Sequence, residues 1–202
     1  MKKKNFEVTQ MVQLAMLIAI LVILTATQLG FINYGVVSIT ILHIPVIIGS
    51  ILMGPFYGGL LGLTFGIISM TNATLRGATP VDMMFSPIVS GLPVQSFIMC
   101  IIPRVILGIV PSVFYSKFQK VVKKPYIRLA LSAALSTMIH TILVLSCLYF
   151  MFFTDMNFTE VLKGIFLTVI GVNGLLEMLS AVIICSAVCI PLLTYTRSLK
   201  TN

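Results

Sequence analysis

The chain has 202 residues, 58% of them hydrophobic and 9% charged, with a mean hydropathy of +1.11 and a formal net charge of +8. So little charge and so much apolar surface exclude an ordinary soluble domain and indicate an integral membrane protein. At about 20 residues per spanning helix, the length holds six or seven spans and leaves nothing for a separate soluble domain, so residues 1–202 are read as one bundle.

The opening "MKKKNF" precedes an apolar run from Val8 to Leu29. No small-x-small cleavage site follows at a suitable distance, so the run is expected to stay as the first span rather than act as a signal peptide. Within it, "AMLIA" sets Ala15 and Ala19 on one helix face, a small-xxx-small pair that in isolation fits packing inside the bundle.

The second and third spans, Ser38–Met53 and Phe56–Asn72, are short and joined by the tight turn "MGPF". The stretch "HIPVIIGSILMGPFYGGLLGLTFG", His43 to Gly66, holds two prolines and six glycines in otherwise oily sequence. Such residues are tolerated in a membrane where neighbouring helices cover the freed backbone, and short, glycine-interrupted segments point to a binding cavity. Gly58, Gly62 and Gly66 recur at i, i+4 and i+8, which gives a flat stripe suited to close helix contact.

The connection "TLRGATPVDMMFSPIVSGLP" follows. It is longer than the two to eight residues usual between packed helices and too apolar for a disordered loop, so it is read as a lid whose Met83, Met84 and Phe85 dip into the bundle. The fourth, fifth and sixth spans are expected at Val94–Tyr115, Ile127–Phe153 and Leu162–Tyr195. Cys100, Cys147, Cys185 and Cys189 all lie in apolar runs without CxxC or metal-ligand spacing, and are read as small core residues.

Orientation follows from the basic residues. With both termini and the fourth-to-fifth loop in the cytoplasm, Lys2, Lys3, Lys4, Lys117, Lys120, Lys123, Lys124, Arg128, Arg197 and Lys200 are inside, and only Arg76 and Lys163 outside. Cations beside the anionic inner leaflet then account for the net charge without nucleic acid. The fold class is an all-α membrane protein, a single bundle of six transmembrane helices with both termini cytoplasmic.

Six polar residues fall at middle or outer membrane depth: His43, Asn72, Arg104, His140, Asn173 and Glu177, the last two on one face of the sixth span. Charge at such depth is costly and faces a bundle interior or a cavity. Arg104 and Glu177 fit two readings, a mutually neutralising pair or a ligand site. In the second, Arg104 offers a planar fork to a carboxylate while Asn72, Asn173 and His43 add neutral hydrogen bonds. His43 equally fits a backbone-capping role, and His140 is read as a core histidine.

These residues carry a family resemblance. The block "HIPVIIGSILMGPFYGGLLGLTFGIIS", Asn72, "FSP" at Phe85–Pro87, "PRVILGIVP" at Pro103–Pro111 and "AMLIA" resemble the substrate-binding S components of energy-coupling factor (ECF) vitamin transporters, most closely the pantothenate-type members. The resemblance implies a protein that binds a vitamin from outside and docks on a transmembrane coupling subunit, the T component, driven by two ATPases. It gives Ala15 and Ala19 the role of the docking face, and pantothenate, a carboxylate, suits Arg104.

The chain has no GxxxxGK[ST] phosphate loop of its own, so energy is expected from a partner. It has no HExxH, no paired-aspartate motif and no nucleophile with an evident partner, which argues against an enzyme, and no cofactor is expected. A stand-alone proton-coupled carrier using Glu177 and His140 is the rival reading, disfavoured by the absence of an evident inverted repeat.

Overall fold

The computed structural model describes residues 2–34, 37–77, 79–153 and 173–201. The described chain is helical apart from one small hairpin. Its helices are α1 (Lys2–Ala26), α2 (His43–Met53), α3 (Pro55–Arg76), α4 (Pro80–Met84), α5 (Pro93–Phe118), α6 (Pro125–Phe152) and α7 (Leu175–Thr201). Among the described residues, five stretches are long and apolar enough to cross a membrane: Val8–Ala26, Pro55–Arg76, Pro93–Phe118, Pro125–Phe152 and Leu175–Tyr195. The beginning of the expected sixth span and Lys163 lie outside the described residues.

The expected second span is where the structure departs from the sequence reading. Instead of one helix from Ser38, the chain forms an antiparallel hairpin, β1 (Phe31–Tyr34) with β2 (Val37–Thr40), in the register Phe31 to Thr40, and only then α2. Three β-branched residues in "VSIT" and Pro45 near the following helix start favour extended backbone followed by a late helix start. At 11 residues, α2 is only about 16 Å long, too short to span a bilayer alone.

What α2 lacks in length it makes up in burial, for ten of its 11 residues are buried. A helix apolar on every side belongs inside a bundle, and α2 packs centrally against α3, α5 and α7. Val46, Ile47, Leu61, Leu107, Cys185 and Cys189 meet there in the main core. Gly54 makes the sharp turn into α3 with φ +96°, a conformation that side-chain-bearing residues rarely adopt. Pro55 then opens α3, where its missing N–H costs nothing.

The glycine stripe fixes the closest helix pair. Gly58, Gly62 and Gly66 are all buried, and a Cβ on each would meet the carbonyl oxygens of Gly108, Arg104 and Cys100 respectively. Those three residues of α5 also recur four apart, so the backbones of α3 and α5 lie directly against each other. By contrast, Ala15 and Ala19 are exposed on the outer face of α1.

Candidate functional site

One end of the α3–α5 contact opens into a cavity of about 120 Å³ between α3, α5, α6 and α7. That is several times the room one water needs, so the space suits a small organic molecule. Phe65, Ser69 and Asn72 contribute one face of α3, Arg104 comes from α5, His140 from α6, and Asn173 and Glu177 from the start of α7. Asn173 sits in a short π-helical turn that precedes α7.

Arg104 is the most constrained of these groups. It is 6% exposed; its Nη1 donates to the carbonyl of Met99 at 2.7 Å, while its Nε has no hydrogen-bond partner among the described residues. Its guanidinium carbon lies 4.7 Å from the centroid of the Phe85 ring and 5.6 Å from that of Phe65. A buried donor without an acceptor costs about 1 to 3 kcal/mol, and the aromatic rings offset part of that through their negative faces.

The connection expected to act as a lid supplies Phe85. Thr79 and Asp82 form a reciprocal capping box that starts α4. Ser96 Oγ donates to the Met84 carbonyl at 2.6 Å, and Cys100 Sγ reaches the Phe85 carbonyl at 3.2 Å. The hydroxyls of Thr74 and Ser86 are 2.8 Å apart. These bonds fasten the segment to α3 and α5 and hold Phe85 over the arginine. Met84 joins a small core with Val81, Met99 and Leu148. Met83 is 43% exposed instead of dipping inward, because it lies on the outer side of the one-turn helix.

Glu177 and Arg104 face the same cavity with no ion pair between them among the described residues. Glu177 Oε1 accepts from the Thr40 backbone N–H at 2.9 Å, tying the base of the hairpin to α7. Asn72 Oδ1 accepts from Gln28 Nε2 at 3.0 Å, which leaves the amide nitrogen of Asn72 as a donor. Arg76 Nη1 donates to the Ala26 carbonyl at 3.1 Å. Among the described residues, two basic and two acidic side chains thus border the cavity, counting Asp82, and Arg104 Nε is the deeply buried donor of these that has no described partner.

His43 is fully buried but does not line the cavity. Its Nε2 donates to the Glu177 backbone carbonyl at 3.3 Å, so it supports the start of α7 from behind. His140 does line the cavity, with Nδ1 donating to the Pro103 carbonyl at 3.3 Å; it is both a satisfied core histidine and a wall residue. Sequence reasoning missed Phe65, Ser69 and Gln28 as wall residues. For Ser69 a signal existed, since it shares a face with Asn72 at i+3.

A model of the family described as "ECF transporter, substrate-specific component" matches residues 9–189. The chain belongs to that family. It is also similar to the pantothenic acid transporter PanT of Lactococcus lactis subsp. cremoris (strain MG1363), with 32% identity over 96% of this chain and 98% of the relative. The chain is therefore a transport protein rather than an enzyme, a multi-pass protein of the cell membrane that serves as a substrate-specific component.

Proposed function

We propose that this S component binds pantothenate from outside the cell and hands it to a T component powered by two ATPase subunits. The single observation that carries the ligand reading is the buried Arg104 guanidinium, whose Nε has no acceptor among the described residues, at the wall of a cavity of small-molecule size. A carboxylate satisfies that donor with a charge-assisted bond. Asn72, Asn173 and Glu177 present polar groups for the hydroxyls and amide of the same ligand, and His43 acts indirectly through α7. The similarity to PanT, a pantothenic acid transporter by name, supports the same choice.

The remaining parts of the reading concern orientation and docking. Both termini and the α5–α6 turn are cytoplasmic, a choice supported by the lysines of that turn. The cavity then opens outward. The T component covers the face of α1 that carries Ala15 and Ala19, a reading supported by their exposure on the bundle surface. Calorimetry on purified protein tests the ligand: pantothenate should bind and its neutral alcohol analogue should bind more weakly. Mass spectrometry of small molecules released from the protein provides a substrate-blind check, and release of an unrelated vitamin would replace the assignment.

A further inference from the structure

α5 contains a proline, Pro103, directly before Arg104. Proline has no backbone N–H, so the carbonyl four residues earlier, that of Met99, loses its usual helical donor. Met99 is 0% exposed, and a buried carbonyl calls for a partner. Here it accepts Arg104 Nη1 at 2.7 Å. The arginine side chain is thereby folded back along its own helix.

That one bond divides the guanidinium into a used part and a free one. Nη1 is committed, and the guanidinium carbon lies over the Phe85 and Phe65 rings. Nε has no acceptor among the described residues. An arginine offers two parallel N–H groups along its Nε–Nη2 edge, the geometry that a carboxylate takes up with both oxygens. The carbonyl of Pro103 meanwhile receives His140 Nδ1 at 3.3 Å, so the same turn of α5 fixes two residues of the cavity wall.

We propose that Pro103 is a positioning residue for substrate selection: by withholding its N–H it pins Nη1 of Arg104 to the Met99 carbonyl and reserves the Nε–Nη2 edge for a ligand carboxylate. This rests on the reading of Arg104 as the partner of the pantothenate carboxylate. Replacement of Pro103 by a residue with an N–H gives Met99 its helical donor back. Arg104 then competes for that carbonyl, and its long side chain regains rotamers that miss the ligand.

The test is titration calorimetry of the purified full chain and its Pro103→Ala variant, each with pantothenate and with its neutral alcohol analogue. Pro103→Ala should weaken the acid about tenfold and the alcohol by less than about twofold, since only the acid uses the charged edge. In an Arg104→Ala background, Pro103→Ala should have no further effect on the acid, the signature of two residues acting as one unit. Pro103→Leu restores the same N–H and should behave alike, which guards against a folding defect peculiar to one variant; thermal unfolding is recorded beside each titration. Equal weakening of both ligands, an unchanged acid affinity, or additive losses with Arg104→Ala would overturn the positioning role. Failure of the unsubstituted chain to bind either compound would instead overturn the ligand reading beneath it.

Discussion

Gly58, Gly62 and Gly66 on α3 and Ala15 and Ala19 on α1 follow the same spacing rule and end in opposite environments. The glycines are buried against the backbone of α5, where a Cβ would meet its carbonyl oxygens. The alanines are exposed on the outside of the bundle. Spacing alone therefore marks a face that another helix can approach closely, and the neighbour decides whether that approach happens within the chain or on its surface. The residue type carries the rest of the information: direct backbone contact tolerates only hydrogen at the α-carbon, whereas an exposed helix face can keep a methyl.

The largest expected effect breaks the buried stripe. Gly62→Leu places a side chain where even a Cβ would meet the Arg104 carbonyl oxygen, and lie 2.8 Å from its carbon. Overpacking of that kind costs about 3 kcal/mol or more, so thermal unfolding in detergent should fall by roughly 10 °C, with binding lost alongside. An unchanged melting temperature would mean that α3 and α5 are not in backbone contact.

Breaking the exposed stripe should give a different result. With Ala15→Trp and Ala19→Trp combined, calorimetric affinity for the vitamin should stay as it is, because neither residue lines the cavity. Uptake of labelled vitamin, in cells that also express the T component and ATPases, should be lost, since the added bulk prevents helix approach. Uptake at the unmodified rate would reject the docking role. Loss of binding together with uptake would return the pair to ordinary bundle packing.

A smaller effect is expected where the buried stripe meets the cavity, at Arg104. Arg104→Ala should weaken pantothenate by about 1.5 to 3 kcal/mol, roughly tenfold to a hundredfold, as for a hydrogen bond to a charged group. The alcohol analogue should lose much less. Equal losses would reduce Arg104 to a structural residue.

The smallest effect sharpens the comparison from within α3. Gly59 adjoins the stripe, yet its Cβ would lie 3.5 Å from Ile109, an ordinary contact. Gly59→Ala should therefore leave the melting temperature within about 2 °C and the affinity unchanged. A fall as large as that of Gly62→Leu would show that α3 tolerates no side chain on either face.

Much of the architecture was legible in the apolar runs. Long spans announce themselves through sustained hydropathy, and the beginnings and ends of α3, α5 and α6 lie within four residues of where punctuation by Pro, Gly and polar residues set them. The pairing of residues 31–34 with residues 37–40 and the late start of α2 were not legible, because "VSIT" belongs to a run as apolar as a membrane helix and only pairing with Phe31–Tyr34 makes it extended. The position of Phe85 was hidden for a related reason. Its anchors, Thr74, Ser86, Ser96 and Cys100, come from three separate segments and act through hydrogen bonds between distant turns.

The sequence by itself determined the membrane class, the long apolar helices, the polar residues carried among them and the two small-residue faces, because each rests on solvation or on the 3.6-residue helical period. Tertiary structure alone decided which residues share the cavity. It placed Asn72 beside Gln28, set His43 behind α7 rather than in the wall, and tied Glu177 to the Thr40 backbone instead of to Arg104. A side chain's depth is a property of its own helix. Its partner depends on how the neighbouring helices rotate and pack, and that is a property of the whole bundle.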